Sequence, residues 1–458
     1  MNSAKLWFIF SLVLLFAVGT VSFSFAAPQQ ANAAKTHLAK ASAAEPTRDT
    51  RTLFGYDIEG LEPVTISYVS DGAFNSLGDA LLVSFKKIVE TESKGKIRMD
   101  AHRHGSLYRT NDFPKVISIG TVDMGSINKG LLMSREPEFA PWIIGYVWKS
   151  PEHIIALTAS PEWYALEDKL AKPKWNMKPI VNLPIGNGDY WATTEIKGMN
   201  DFSGKQVWSY GELSNAYISA WGGTPVMKSV GEMYMSYHKG ALNAVSFNAV
   251  GYHDYKFYES GKYWLHMPTY PPGSVGIHYV QLYMNLDKWN KLPVPYKRII
   301  LDAADMLSWV GTWESLCMEK LTEFRLMNQH KVVDVGISTK YPIEYAKIKA
   351  AAVEAGRKYT FSKGVTQQQW DEAQMILAKY ADPKLNAKYS WWYKLAWAES
   401  DRRMAEVKEA IAAGKSWDEA FEPFHPKRQY SFTYEQLRKE WDAVPRVMWD
   451  WPLEARLK

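Results

Sequence analysis

Tyr68, near the end of a short alternating stretch (Val64 to Val69), and Asp71, Phe74 and Asn75 just past it together offer ring faces, a carboxylate and an amide. In open α/β sheets ligands sit outside the carboxyl ends of the strands, which is where these four residues fall. Asp71 could pair there with a cationic or amine ligand, or stand as a solvated loop acid. His102 and His104 flank Arg103 at i, i+2, so on a strand the two imidazoles share a face. Such a pair could ligate a metal, but no third ligand is visible, and both read as surface or turn histidines. Glu232, Tyr234 and His238 form one helical face for packing and solvent contact, with Tyr234 a weaker candidate for touching ligand. Enzyme signatures are missing: there is no G-x-S-x-G elbow, no H-E-x-x-H, no phosphate-cradling glycine loop and no cysteine-based site. Gly222-Gly223-Thr224 precedes a strand and opens no helix, so it makes no dinucleotide loop. The chain therefore reads as a binder without catalytic residues, cofactor or metal.

The elements that must position these residues are of the parallel α/β kind. Val64 to Val69 alternates as a strand. Leu77 to Thr91 places Leu81, Leu82, Phe85, Ile88 and Val89 at amphipathic-helix spacing. Lys94-Gly95-Lys96 turns the chain into a second strand, Ile97 to Ala101. Asn111 is read as the cap of a helix running through Val116, Ile117 and Ile119, and Gly120 to Gly125 closes it into a third strand. Further on, Gln206 to Ser209, Glu212 to Trp221 and the strand opened by Gly222 to Val226 form a β-α-β unit. A long helix is expected from about Tyr296 to Leu326 and a late strand from Val332 to Ile337. Helices follow at Trp370 to Ala381, Trp391 to Ala413 and Tyr434 to Trp441.

At 458 residues the chain is long enough for two or three domains with their own cores. Its 54 basic and 49 acidic residues give a net charge of only +5 and form no long single-sign run, so nucleic acid and anionic membranes are not indicated. Lys5 followed by the apolar Leu6 to Val18, with small residues at Ser24-Phe25-Ala26 and Ala31-Asn32-Ala33, reads as an export signal. The apolar character continues to Ala27, so an uncleaved anchor is the alternative to cleavage. Cys317 is the single cysteine, which rules out an intrachain disulfide and suits a buried small hydrophobe.

Several segments, in order, carry a resemblance to one family. They are Glu92-Ser93-Lys94-Gly95-Lys96-Ile97, Gly105-Ser106-Leu107, Gly120 to Met124 and Glu138 to Trp142. Downstream come Asp201 to Val226, Gly231 to Gly240 and Met284 to Pro293. Together they resemble the extracytoplasmic solute-binding proteins of tripartite ATP-independent periplasmic (TRAP) transporters, over roughly Val64 to Arg357. The resemblance implies two α/β lobes of the periplasmic-binding-protein type (type II-like), joined by hinge strands and a long connecting helix and closing on a ligand. The expected partition is 1–33 signal peptide, 34–60 flexible leader, 61–190 first lobe and 191–290 second lobe. Residues 291–363 are the connecting helix with a return to the first lobe, and 364–458 an appended helical layer.

In most of these relatives an Arg fork orients a ligand carboxylate, because its two parallel N–H groups match two oxygens. This sequence has Trp208 at that position. The segment Asn187 to Trp191, which corresponds to a second family Arg, contains none, and the family's D-G pair is Asn243-Ala244. The resemblance thus implies ligand contacts at Trp208, Phe247 and Asn248, with Tyr190, Trp191, Tyr68 and Asn285 as further candidates. Aromatic walls suit a flat ring, a cation held by π faces or an apolar skeleton. The alternative is that Trp208 points into the core and Arg103 or Arg109 restores anion binding. The expected function is a periplasmic receptor that captures an organic solute, bulky, aromatic or not clamped by the usual Arg–carboxylate pair. Its partners would be TRAP membrane subunits, with a homodimer through the C-terminal helices as another use of a tail carrying Trp391, Trp392, Trp397, Trp417, Trp441, Trp449 and Trp451. The other readings are a ligand sensor or scaffold on the same fold, and a small organic-acid receptor with a rearranged anion site.

Overall fold

The computed structural model describes residues 56–72, 76–128, 132, 136–209, 211–267, 277–425 and 433–443. The expected signal, most of the leader, Phe74, Asn75, Trp449 and Trp451 lie outside the described residues. β1 (Val64–Val69) and β2 (Ile97–His102) pair in parallel along their whole length. Between them runs α1 (Leu77–Glu92), whose N-cap Ser76 accepts a hydrogen bond from the Asp79 amide. Its Leu81, Leu82, Phe85, Ile88 and Val89 are buried in one core with Ile66 and Ile97, as the helical spacing requires. Asn111 lies inside a single 3₁₀ turn (Thr110–Asp112) and caps nothing; α2 (Phe113–Ser118) begins after that turn. β3 (Met124–Asn128) starts four residues after Gly120, because Gly120 (φ +73) and Thr121 close the helix end with bonds to Ile117 O and Val116 O.

β4 (Met177–Asn187) and β5 (Asp189–Ala192) are separated only by Gly188, and there the chain leaves one sheet for another. β6 (Gln206–Ser209), α3 (Glu212–Ala220) and β7 (Thr224–Met227) form the expected β-α-β unit, with β6 and β7 parallel. β8 (Ala244–Phe247), α4 (Ala249–Asp254), β9 (Tyr263–Trp264) and β10 (Ile277–Asn285) follow. Then come the 35-residue α5 (Val294–Asn328), about 52 Å long at 1.5 Å per residue, and β11 (Val333–Asp334). The late strand is therefore two residues long, and Ile337–Lys340 already turns as a helix.

The strands make two sheets, a five-stranded one in the order β2-β1-β3-β10-β4 and a six-stranded one in the order β11-β9-β5-β8-β6-β7. β10 runs antiparallel between β3 and β4. Residues 277–285, within the stretch expected to be second lobe, thus belong to the first sheet. The segment expected to return to the first lobe does the opposite. β11 pairs with β9, and α6 (Pro342–Ser362) packs on α3 of the second lobe, where a Cβ on Gly356 would stand 3.1 Å from Ile144 and Tyr217. The chain passes between sheets after β4, between β9 and β10, and after α5.

The C-terminal layer is part of the body. α7 (Pro383–Ala412) lies along α5, with Trp392 fully buried edge-on to Trp309 at 5.4 Å and against Trp313 at 5.7 Å. Arg403 forks onto Glu314 (2.7 and 2.9 Å) and also reaches Glu399. Cys317 is buried beneath α7, its thiol directed at Ala396 O, and burial holds its pKa well up. Among the described residues no helix is long and apolar enough to cross a membrane.

Candidate ligand-binding site

The carboxyl ends of β1 and β8 face a common cavity of about 140 Å³. From the first lobe come Tyr68, Ser70, Asp71 and Gly72 at the end of β1, the start of α1 with Leu77 and Leu81, Ser126 of β3 and Leu282 of β10. The second lobe contributes Phe247 at the end of β8, Asn248, Val250, Gly251 and Asp254 of α4, and Tyr255 just after it; Leu307 of α5 completes the apolar lining. The walls are mainly rings and aliphatic side chains. The described lining residues include no Lys, Arg or His; the acids are Asp71 and Asp254.

Local chemistry explains why β8 delivers its residues there. Asn248 caps α4 by accepting from the Gly251 amide at 2.6 Å. Gly251 lies against the preceding ring: a Cβ there would sit 2.6 Å from Phe247 and 2.7 Å from Asn248 Oδ1. Phe247 is turned against Tyr255 (centroids 5.4 Å, 61°). Two hydrogen bonds then tie α4 across to the first lobe: Tyr255 Oη donates to Asp71 O (3.2 Å), and the Leu77 amide donates to Asp254 Oδ2 (3.2 Å).

Asp71 is half-buried and accepts from Thr110 Oγ1 at 2.7 Å. Burial raises its pKa against the opposing effect of that hydrogen bond. Tyr68, nearly fully buried, has its phenol pKa pushed up by burial and by the nearby Asp71, with Ser126 as a hydrogen-bond partner that opposes the rise. The Ser70 hydroxyl is buried and has no hydrogen-bond partner among the described residues.

Of the seven residues expected to contact ligand, the structure brings Tyr68, Phe247 and Asn248 together at this cavity. The other four stand elsewhere. Trp208 is turned into the second-lobe core, its indole N–H donating to Lys228 O at 3.0 Å and its ring 5.8 Å from Phe247. It therefore backs the wall from one layer behind, and the expectation of an indole in the wall itself is corrected. Trp191 is stacked between Tyr252 (4.2 Å) and Trp264 (5.2 Å), and Tyr190 packs edge-on to Trp221 at 5.3 Å; both are core residues of β5. Asn285 is an N-cap, accepting from Lys288 N and donating to Ile117 O.

Nor do the alternative cations line the cavity. Arg103 forks onto the buried Asp79 through two 2.6 Å bonds, and the exposed Arg109 lies 3.8 Å from Glu232. His102 approaches Asp100 (3.5 Å) and His104 contacts Gly72 O (2.9 Å), and the described residues contain no cluster of metal-ligating side chains. Glu232 completes a capping box with Ser229, Tyr234 donates to Glu259, and His238 contacts Ser260. Sequence reasoning missed Asp254, Tyr255 and Ser70; the Asn248 cap followed by Gly251 was the local signal for a short helix placing the first two.

A family model described as bacterial extracellular solute-binding protein, family 7, matches residues 70–354, more than half of the chain. A TRAP periplasmic solute-binding protein from Shewanella oneidensis with bound succinate is similar, with a TM-score of 0.61 at 16% identity, covering 69% of this chain and 99% of that one. DctP7, a Bordetella pertussis extracytoplasmic solute receptor binding pyroglutamic acid, gives 0.60 at 14% identity, with 68% and 99% covered. A TRAP protein from Pseudomonas putida F1 with bound D-glucuronate gives 0.59 at 16%, with 67% and 97% covered. A curated relative, the uncharacterized protein YiiZ of Salmonella typhimurium, is 21% identical over 168 residues, 35% of this chain; the chain spans about half of its length (49%). The two-lobed fold and the extent of the family match agree, and the chain belongs to family 7 of the bacterial extracellular solute-binding proteins, the TRAP receptor family.

Proposed function

We propose that this chain is a periplasmic receptor that captures an organic solute without an Arg–carboxylate clamp and delivers it to the membrane subunits of a TRAP-type transporter. Export through the N-terminal segment 1–33 is part of this reading. The observation that carries it is the cavity lining: Tyr68, Phe247, Tyr255 and several leucines, with carboxylates and no cation among the described residues. A dicarboxylate placed there would face Asp71 and Asp254 with no guanidinium to offset the repulsion or the loss of hydration. Because the lining comes from both lobes, binding favours the closed arrangement over an open one. Calorimetry of the mature protein with succinate, D-glucuronate and pyroglutamate tests the reading. No binding, or Kd values above about 100 μM, is expected; nanomolar binding of any of the three would overturn it.

A further inference from the structure

The geometry points to a protonated amine as the group that this cavity recognises, seated at Asp71 and Ser70 with the apolar body of the solute against Tyr68, Phe247 and the leucines. This inference rests on the receptor reading and narrows it to a substrate class. Three independent features carry it. First, the charges in the described lining are both negative, and they are not equivalent. Asp254 already faces the N-terminus of α1 through the Leu77 amide, a site that favours a carboxylate. Among the described residues the partners of Asp71 are neutral, Thr110 and Tyr255, and no cation stands beside it in the lining.

Second, the Ser70 hydroxyl is a buried polar group at the same wall, 6% exposed and without a partner among the described residues. An orphan of this kind is costly unless a ligand supplies the bond. An ammonium carries up to three donors and no acceptor, so it can serve a carboxylate and a hydroxyl oxygen together. Third, the rings of Phe247 and Tyr255 meet as a corner, and Tyr68 lines the same cavity; π faces attract a cation and cover an apolar skeleton equally well. The volume suits a ring-sized group, since an apolar cavity of roughly 150 Å³ holds benzene. Burial also holds the Asp71 carboxyl above its ordinary range, and a cation beside it would reverse that shift.

Matched ligand sets separate this inference from the receptor reading beneath it. Each set keeps one skeleton and varies its end group: phenethylamine, 2-phenylethanol and 3-phenylpropionate, and likewise the amine, alcohol and carboxylate on cyclohexylmethyl and n-hexyl skeletons. Titrated calorimetrically into the mature full chain, the amine of at least one set should bind about tenfold or more tightly than its partners. Asp71→Asn should remove most of that preference, and Ser70→Ala should weaken amine binding severalfold. Thermal melts of both variants confirm that they are folded. An alcohol or carboxylate binding tightest, no binding by any amine, or an amine preference that survives Asp71→Asn would overturn the amine assignment. Tight binding of a neutral member would overturn it while leaving the receptor reading intact; nanomolar binding of succinate would end both.

Discussion

Trp392→Ala should cost the protein about 3–5 kcal/mol of stability, the range for deleting a fully buried Trp. Trp392 sits in the first half of α7 with no exposed surface, edge-on to Trp309 and tilted against Trp313 of α5. Its removal forfeits apolar burial, two aromatic contacts worth about 0.5–1.5 kcal/mol each beyond area, and the filling of the α5–α7 seam. The neighbouring Trp391 is only half-buried, so Trp391→Ala should cost far less. Chemical denaturation of the two variants checks this. A large loss for Trp392 with a single transition means that the C-terminal layer folds with the lobes. A loss below about 1 kcal/mol, or a separate early transition, would mean that the layer is a loosely attached appendage.

Stability should fall as the solution becomes alkaline, the melting temperature declining as pH climbs from about 6.5 through about 7 and above. Where α5 meets the second sheet, Glu319 and Glu323 lie near Asp189, His266, Asp334 and Lys320. Burial first, then the neighbouring acids, raises the Glu323 carboxyl to about 7 and Glu319 well above its ordinary range, while His266 offsets part of the effect on Glu323. Burial opposes the charge of His266, but its hydrogen bond to Asp334 at 2.9 Å and the surrounding carboxylates raise its pKa overall.

The signs agree at high pH. An acid with a raised folded pKa holds a proton that the unfolded chain has released, so its contribution fades as pH climbs through the folded value. A raised histidine loses its contribution in the same direction. His153 and His330, pushed down to about 4 chiefly by burial, act oppositely, but only while pH falls through the window from 6.5 to about 4. Above that window nothing from them offsets the acids. Glu319→Gln with Glu323→Gln should flatten the alkaline fall in a series of thermal melts. An unchanged slope in the double variant would show that the proton release comes from elsewhere.

Periodicity made much of the frame legible. The Leu77 helix, the β-α-β unit at 206–227 and the long helix ending near Leu326 all carry patterns that local burial enforces. The place of β10 was not legible, because its partners β3 and β4 lie 90 or more residues away in sequence and no local pattern names them. In the cavity lining, Tyr68 was reachable from the end of an alternating strand and Phe247 and Asn248 only from the family resemblance, since no strand was expected at 244–247. Trp208, Tyr190 and Trp191 could not be placed. Val207 to Ser209 and all of β5 are buried, so alternation gives no sign of which side meets the cleft. Asn285 shows another limit, since a capping Asn and a ligand-binding Asn look alike until the following amide is located.

The most direct measurement is a crystal structure of the exported protein with the solute that copurifies with it. Density for that solute is expected between Tyr68, Ser70 and Asp71 on one lobe and Phe247, Asn248 and Tyr255 on the other, with Trp208 still behind the wall. A solute clamped by an arginine, or bound anywhere other than between those two chain segments, would contradict this expectation.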